Sequence, residues 1–279
     1  MITKAIIPVA GYGTRFLPIT KAVEKTMLPV VNRPVVDYIV EDCIKAGVTD
    51  IYFIVQQGSY QLKTYYSHNT DLERYLVERN APDKLAKIEG IHKKANFHYI
   101  EQPQDGRYGT AIPPLLAEEF IDGKEQFFVL MGDDFVFRRD GSSELALMKQ
   151  HLDASAGQAV MAASNVDKED VSKYGILTVS EKDGHQWLVD IVEKPEESEA
   201  PSTLSNISKF IFDSSIFEYL AAVTKDEHTG EFLITDALEH YAREQAVLVH
   251  SIAGQYLDCG SPAGLMYANQ VVAQHLELL

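Results

Sequence analysis

The sequence predicts an α/β fold: a Rossmann-like mixed, mostly parallel central sheet flanked by helices, with a smaller mixed α/β lobe. Three observations carry this. The chain opens with a strand, a glycine-rich turn, a helix and a second strand in succession; its early strands are apolar almost throughout; and after about residue 165 it changes to short apolar runs between turn-rich stretches. A strand buried on both faces reads as a continuous apolar run, so the first half belongs to a parallel sheet covered on both sides.

"KAIIPVAG" from Lys4 is a run of β-formers ending in glycine, and "VVDYIVEDCIKAG" after Pro34 places apolar residues at helical spacing before a glycine stop. "IYFIV" at Ile51 then completes a βαβ unit. Residues 57–96 form a polar segment in which Leu72, Tyr75, Leu76 and Leu85 keep helix-like spacing, which predicts a helical insertion on the sheet edge. Strands are expected at "FHYI" from Phe97, "QFFVLM" from Gln126 and "AVMAA" from Ala159, with helices over 111–120 and 144–154. "YGILTVS", "WLVDIVEKP" and "NISKFIF", separated by "EKDGH" and "PEESEAPS", build the smaller lobe. Helices over 232–244 and 262–276 flank a last strand at 247–251. The whole, 1–279, is expected as one domain with sub-regions 1–164 (carrying the insertion 57–96), 165–230 and 231–279.

Composition removes several function classes. With 25 Lys+Arg against 41 Asp+Glu the net charge is −16, which leaves no broad positive surface for nucleic acid. No apolar window approaches the about 18 residues of a membrane span, and the run from Ala5 to Ala10 is too short for a signal peptide, so the expected location is the cytoplasm. Cys43 and Cys259 are too few for a disulfide framework and fit a reducing compartment as buried thiols. The nine histidines show no H-E-x-x-H or paired spacing, so no zinc site is expected. Trp187 and the tyrosines are expected as packing groups. No G-x-S-x-G occurs, which disfavours a serine hydrolase.

Against this acidity, residues 1–34 gather Lys4, Arg15, Lys21, Lys25 and Arg33 with Glu24 as their single acid. Gly11-Tyr12-Gly13-Thr14-Arg15-Phe16 departs from a dinucleotide fingerprint because its sixth position is Phe, and from a Walker A loop because Lys and Ser/Thr do not follow the second glycine. An isolated G-x-G is more often a plain tight turn. Here the cations beside it point to a small anion, approached by the bare backbone at Gly11 and Gly13 and gripped by Arg15.

The string "PVAGYGTRFLPITK…EKTMLPVVNRP" resembles the signature of the sugar-nucleotide pyrophosphorylases, in particular the bacterial UTP–glucose-1-phosphate uridylyltransferases, with P-V-A-G-x-G-T-R-x-L-P-x-T-K followed by P-K-E-M-L-P. The single glycine after Ala10 favours the uridylyl branch. "EQPQDGRYGTA", "VLMGDDFVF", "KYGIL", "VEKP", "GEFLITDAL" and "YLDCGSPAG" continue the family order over nearly the whole chain. The resemblance implies a nucleotide-diphospho-sugar transferase fold whose smaller lobe, 165–230, binds the sugar phosphate. It implies attack of glucose 1-phosphate on the α-phosphorus of UTP, with Mg2+ as cofactor and a homo-oligomer, dimer or tetramer, as the assembly.

Residue by residue, the resemblance gives Ala10, Gly11 and Gly13 to the nucleotide, and Arg15 to the departing phosphates. Lys25 falls on the transferring phosphoryl group, with Lys21 secondary. Gln102 would face the uracil edge and Gly109 leave room for the base; Gly175 and Glu193 would meet the hexose and Lys194 the phosphate linked to it. Asp133 and Asp258 would be the metal carboxylates, with Asp134 a structural neighbour. Such a transfer needs no protein nucleophile, so Cys259 is not expected to act as one. It needs two anions aligned and their charge neutralised, since unit charges about 4 Å apart interact by about 4 kcal/mol at an effective dielectric of about 20.

Three positions depart from the family pattern. P-K-E-M becomes Glu24-Lys25-Thr26-Met27, G-L-G-H-A becomes Arg107-Tyr108-Gly109-Thr110-Ala111, and G-R-Y becomes Ser208-Lys209-Phe210. They bear on recognition of base and sugar, and Thr110, where the family usually has His, is expected to open space beside the base. The rival readings are a sister transferase using dTTP or another sugar phosphate, and a catalytically idle nucleotide-sugar sensor. Retention of Arg15, Lys25, Asp133, Lys194 and Asp258 argues against the sensor.

Overall fold

The structure, a computed structural model, describes residues 1–227 and 229–279. β1 (Lys4–Pro8) ends in the glycine-rich loop, which carries short 3-10 turns at Thr14–Phe16, Ile19–Lys21 and Lys25–Met27. A ribbon of β2 (Pro29–Val30) and β3 (Arg33–Pro34) hands the chain to α1 (Val35–Lys45), and β4 (Asp50–Val55) returns parallel to β1. The insertion is helical, as its spacing predicts: α2 (Gln61–Tyr65), α3 (Thr70–Glu78) and α4 (Pro82–Leu85) precede the edge strand β5 (Asn96–Glu101).

α5 (Ile112–Leu115) is shorter than the helix expected over 111–120. Its end tightens into i→i+3 bonds, Leu116 N–H to Pro113 O at 3.1 Å and Ala117 N–H to Pro114 O at 3.0 Å, and the chain resumes as a separate turn at Glu118–Phe120. β6 (Gln126–Leu130), β7 (Asp134–Phe137), α6 (Glu144–Asp153) and β8 (Ala159–Asn165) follow. The remaining elements are β9 (Gly175–Lys182), β10 (His185–Glu193), β11 (Leu204–Asp213), α7 (Ile216–Ala222), α8 (Ile234–Glu244), β12 (Val247–Ser251), β13 (Gln255–Asp258) and α9 (Pro262–His275). β7 and β13, four residues each, pair antiparallel with Asp134 opposite Asp258.

Nine strands form one sheet in the order β5-β4-β1-β6-β11-β8-β12-β10-β9. β11 and β10 run against their neighbours while the other strands share one direction, so the sheet is mixed and mostly parallel. The strands of the smaller lobe, β9 to β11, enter this same sheet.

Alternate residues of the central strands feed two cores. Ala5, Ile7, Phe53, Phe128 and Leu130 pack on the face covered by Val36, Ile39, Val40 and Cys43 of α1, with Met148 of α6 and Val272 of α9. Ile6, Ile54, Phe127 and Val129 pack on the opposite face with Phe217 of α7 and Leu238 and Tyr241 of α8. Both cysteines are buried free thiols.

A polar chain crosses the first core. Glu144, the first residue of α6 and 1% exposed, accepts from His250 Nε2 at 2.9 Å, from the backbone N–H groups of Ala253 and Gly254 at 2.9 Å each, and from Arg138 at 3.3 Å. His250 Nδ1 meets His151 Nδ1 at 3.2 Å, and His151 Nε2 meets His185 Nδ1 at 3.0 Å. This network ties α6 to β10, to β12 and to the turn that delivers β13.

Candidate active site

The C-terminal ends of β1 and β6 lie side by side because Gly132 N–H donates to Pro8 O at 3.2 Å. Ligands of open α/β sheets bind at this edge, and the glycine-rich loop and Asp133 both begin there. Gly13 adopts φ +63°, and a Cβ on it would lie 2.8 Å from Lys25 Cβ, so the loop closes directly over the lysine. Thr20 locks the closure by donating to Gly13 O at 2.8 Å. A Cβ on Gly11 would meet nothing within 4 Å, which leaves that stretch of backbone open to a ligand.

Four of the expected residues converge on Gly260. Its amide donates to Asp258 Oδ1 at 2.7 Å, and its carbonyl accepts from Arg15 Nη1 at 3.5 Å. A Cβ there would lie 2.8 Å from Asp258 Oδ1, 3.4 Å from Asp133 Oδ2 and 3.7 Å from Arg15 Nη1. Lys25 Nζ is ion-paired with Asp133 Oδ2, and Cys259 N–H donates to Asp133 O at 3.0 Å. Two half-buried carboxylates thus face one space between two cations. Their oxygen donors suit Mg2+, which commonly takes one or two carboxylates and completes its shell with substrate phosphates and water. Among the described residues no three His, Cys, Asp or Glu side chains converge to form a metal cage. Burial and the nearby Asp258 and Asp133 push the Cys259 thiol up to about 12.

A cleft of about 320 Å³ opens beside the glycine-rich loop, lined by Ala10, Tyr12, Gln56, Gln57, Gln102 and Tyr108 among others. Gln102 is placed by its N–H, which donates to Val55 O at 2.9 Å beside the end of β4. Gly109 also has a packing reason that the sequence did not show. At φ +122° a Cβ would fall 2.4 Å from Phe232 O, and the backbone pairs there through Phe232 N–H to Tyr108 O and Ala111 N–H to Phe232 O, both 2.9 Å. The missing side chain lets two loops cross, and the same crossing delays α8 until Ile234, two residues after its expected start. Thr110 does not line the cleft. Its Oγ1 accepts from Ile234 N at 2.9 Å, so the expectation that it opens space beside the base is corrected: it caps α8. Gly109→Ala is expected to unseat this crossing, measured as faster proteolysis between residues 102 and 111 together with a lower Tm.

The third group lies at the adjoining ends of β9 and β10, where Gly175 pairs in register with Glu193. A Cβ on Gly175 would sit 3.0 Å from Glu193 Oε2. Burial raises the Glu193 carboxyl above its ordinary value, Lys194 opposes the shift, and Asp236 and Glu231 add to it. Lys194 sits at φ +46°, its N–H donating to Tyr174 O at 3.0 Å, and makes an exposed ion pair with Glu193 at 3.6 Å. Such a pair contributes little, which leaves both groups available to a ligand. Tyr174 joins this group to the carboxylates: burial and Asp258 push its hydroxyl up to about 12.

Several contributors were not singled out from the sequence. Glu24 accepts from Ser59 Oγ at 2.9 Å and Gln61 N at 3.2 Å, while Gln61 Nε2 donates to Ala22 O at 2.6 Å, so the start of the insertion clamps the Lys25 loop. Gln56 and Gln57 stand directly after β4, a position that marks ligand contacts in parallel sheets. Lys21 stays exposed.

The nucleotidyl transferase family matches residues 4–275. A UTP–glucose-1-phosphate uridylyltransferase of Bacillus subtilis is 37% identical over 96% of this chain and 88% of its own length. Another, of Staphylococcus saprophyticus, is 36% identical over 100% of this chain and 96% of its own. Among solved structures, an apo UDP-glucose pyrophosphorylase is similar with a TM-score of 0.90 at 33% identity, covering 98% of this chain and 99% of the other. A UTP-bound enzyme of the same kind from Acinetobacter baumannii is similar with a TM-score of 0.87 at 31% identity, covering 98% and 94%.

Proposed function

The chain belongs to the nucleotidyl transferase family, and from that premise we propose that it forms UDP-glucose and pyrophosphate from UTP and glucose 1-phosphate. The single observation that carries this is the convergence of Arg15, Lys25, Asp133 and Asp258 around Gly260. A phosphate oxygen of the sugar phosphate attacks the α-phosphorus of UTP; the bond to the β,γ-unit breaks and its electron pair leaves with pyrophosphate.

The uracil occupies the cleft with Gln102 at its imide edge, and the backbone of Ala10, Gly11 and Gly13 passes along the nucleotide. Gly109 shapes that cleft from behind through its crossing with Phe232. Arg15 takes the charge that develops on the departing phosphates, and Lys25 that on the transferring phosphoryl group. Asp133 and Asp258 would hold Mg2+, which when bound neutralises the triphosphate. Glu193 and the Gly175 backbone orient the hexose, and Lys194 its phosphate. In this reading 1–164 serves the nucleotide, 165–230 the sugar phosphate, and 231–279 supplies the second carboxylate.

Pyrophosphate release over a matrix of four nucleoside triphosphates and several sugar 1-phosphates tests the reading. UTP with glucose 1-phosphate is expected to give the highest kcat/KM; a higher value for dTTP or for another sugar would replace it. Arg15→Ala and Lys25→Ala are expected to lower kcat more than sugar-phosphate affinity, whereas Lys194→Ala chiefly raises KM for glucose 1-phosphate. Equal loss of affinity for both substrates in all three variants would overturn that division.

The protein acts in the cytoplasm, in keeping with its free thiols; no described helix is long and apolar enough to cross a membrane. It works as a homo-oligomer, a reading supported by exposed Met266, Tyr267, Leu276, Leu278 and Leu279 along α9 and the C-terminus. Light scattering on the purified chain checks this.

A further inference from the structure

We propose that Lys209 is a positioning residue for the transfer, acting through its buried ion pair with Asp134 to hold the Asp133 and Asp258 carboxylates side by side. The proposal rests on the reading above for what those carboxylates do, and on geometry alone for how they are placed.

Lys209 is 4% exposed in the middle of the sheet, so it cannot touch a substrate. A lysine this deep is rare unless paired, and its Nζ is ion-paired with Asp134 Oδ1, also buried, with Met131 O at 3.4 Å. Asp134 follows Asp133 directly. Its other oxygen, Oδ2, accepts from the Tyr256 hydroxyl at 3.3 Å, and Tyr256 stands two residues before Asp258. In the β7–β13 ribbon Asp134 pairs in register with Asp258. One carboxylate therefore joins the strand that carries the first acid to the strand that carries the second, and Lys209 anchors that carboxylate from below.

The backbone is shaped to deliver this lysine. β11 loses its register against β8 between Asn206 and Phe210, and within that bulge Ser208 adopts φ +55°. Ser208 N–H donates to Asn206 Oδ1 at 2.8 Å, a local bond that supports a conformation disfavoured for any side-chain-bearing residue. Bulges re-aim side chains beside active sites. This one places Lys209 opposite Leu130, at the end of β6 that leads into Asp133. Burial pulls the Lys209 pKa down to about 8, while Asp133, Cys43, Asp42 and Asp258 oppose the fall.

The test separates positioning from simple stability. Lys209→Met alone strands a buried carboxylate and lowers the Tm, so the decisive variant removes both charges: Lys209→Met with Asp134→Asn. Replacing both members of a buried pair commonly leaves a fold stable. In that double variant we expect a Tm near wild type, kcat lower by about 10- to 100-fold, the usual cost of losing an outer partner of a metal site, and KM for UTP little changed. Lys209→Arg should recover part of the kcat, and Tyr256→Phe should move it in the same direction as the double variant, by less. Hydrogen exchange of the Cys259 and Gly260 amides, which bond to Asp133 O and Asp258 Oδ1, should quicken about tenfold in the double variant while amides of β12 keep their protection. Exchange uses neither substrate nor metal, so it stands even if UTP and glucose 1-phosphate prove to be the wrong pair. A double variant with wild-type kcat and wild-type exchange at Cys259 and Gly260 would reduce Lys209 to a buried structural pair and overturn the proposal.

Discussion

Asp133→Asn is expected to lower kcat on the order of 10²- to 10³-fold, the range seen when one preorganised stabiliser of developing charge is lost, with the Tm unchanged. Two features make so clean a separation possible. The Asp133 side chain is 34% exposed just beyond β6, and its ion-pair partner there is Lys25. Its backbone carbonyl, which accepts from Cys259 N–H, is untouched by the substitution. Asp258→Asn should behave alike, since an amide oxygen can still accept from Gly260 N–H. Combining the two should cost little more than either alone, as expected of two carboxylates proposed to hold one ion. The assay is pyrophosphate release at saturating UTP, glucose 1-phosphate and Mg2+, beside a thermal melt. Near wild-type turnover in either variant would remove that carboxylate from the reaction.

Glu144→Ala is expected to destabilise the protein by about 3–5 kcal/mol, the cost of removing one partner of a buried charge pair. It strands His250, two backbone N–H groups and one Arg138 contact at once. For a chain of this size the Tm should fall on the order of 10 °C. The same network sets the acid response. Burial pushes the Glu144 carboxyl up, but bonds from His250, Ala253 and Gly254 outweigh it and hold it below its ordinary value. Its contribution is therefore present above an unfolded value of about 4.5 and lost as pH falls through the lower, folded one. His151 adds in the same direction: burial, then His250 and His185, hold its pKa below 6.5, so the unfolded chain takes up that proton first and stability declines as pH drops below about 6.5. Urea melts at pH 7, 5 and 4 should show stability falling across the series in wild type, with the step below about pH 4.5 reduced in Glu144→Gln. A Glu144→Ala protein melting within about 2 °C of wild type would show that the network relaxes around the gap.

Much of the fold was legible because strands and helices leave local periodicities. β12 occupies 247–251 as expected, β4 and β5 extend the expected runs by a residue or two, and the insertion 57–96 is helical. Where local reading failed, a distant partner had intervened: α8 starts late because Phe232 is paired with the 108–111 loop, and β7 and β13 exist only as each other's partner. The site divides in the same way. Motifs singled out Arg15, Lys25, Asp133 and Asp258, which the structure brings together around Gly260, whereas the neighbours of Gly109 and Thr110 left no local signal.

By itself, then, the sequence determined the α/β class, the order of elements, the family, and the net acidity against which the glycine-rich loop gathers its bases. Only the tertiary structure decided that Lys209 lies under Asp134, that Glu144 gathers His250 and the turn before β13, and that Thr110 caps α8. The physical reason is strand order. β11 enters between β6 and β8, and β13 pairs with a strand more than a hundred residues earlier. Periodicity records which face a residue presents to its own element, but a buried polar group takes its partner from whichever strand the sheet sets beside it.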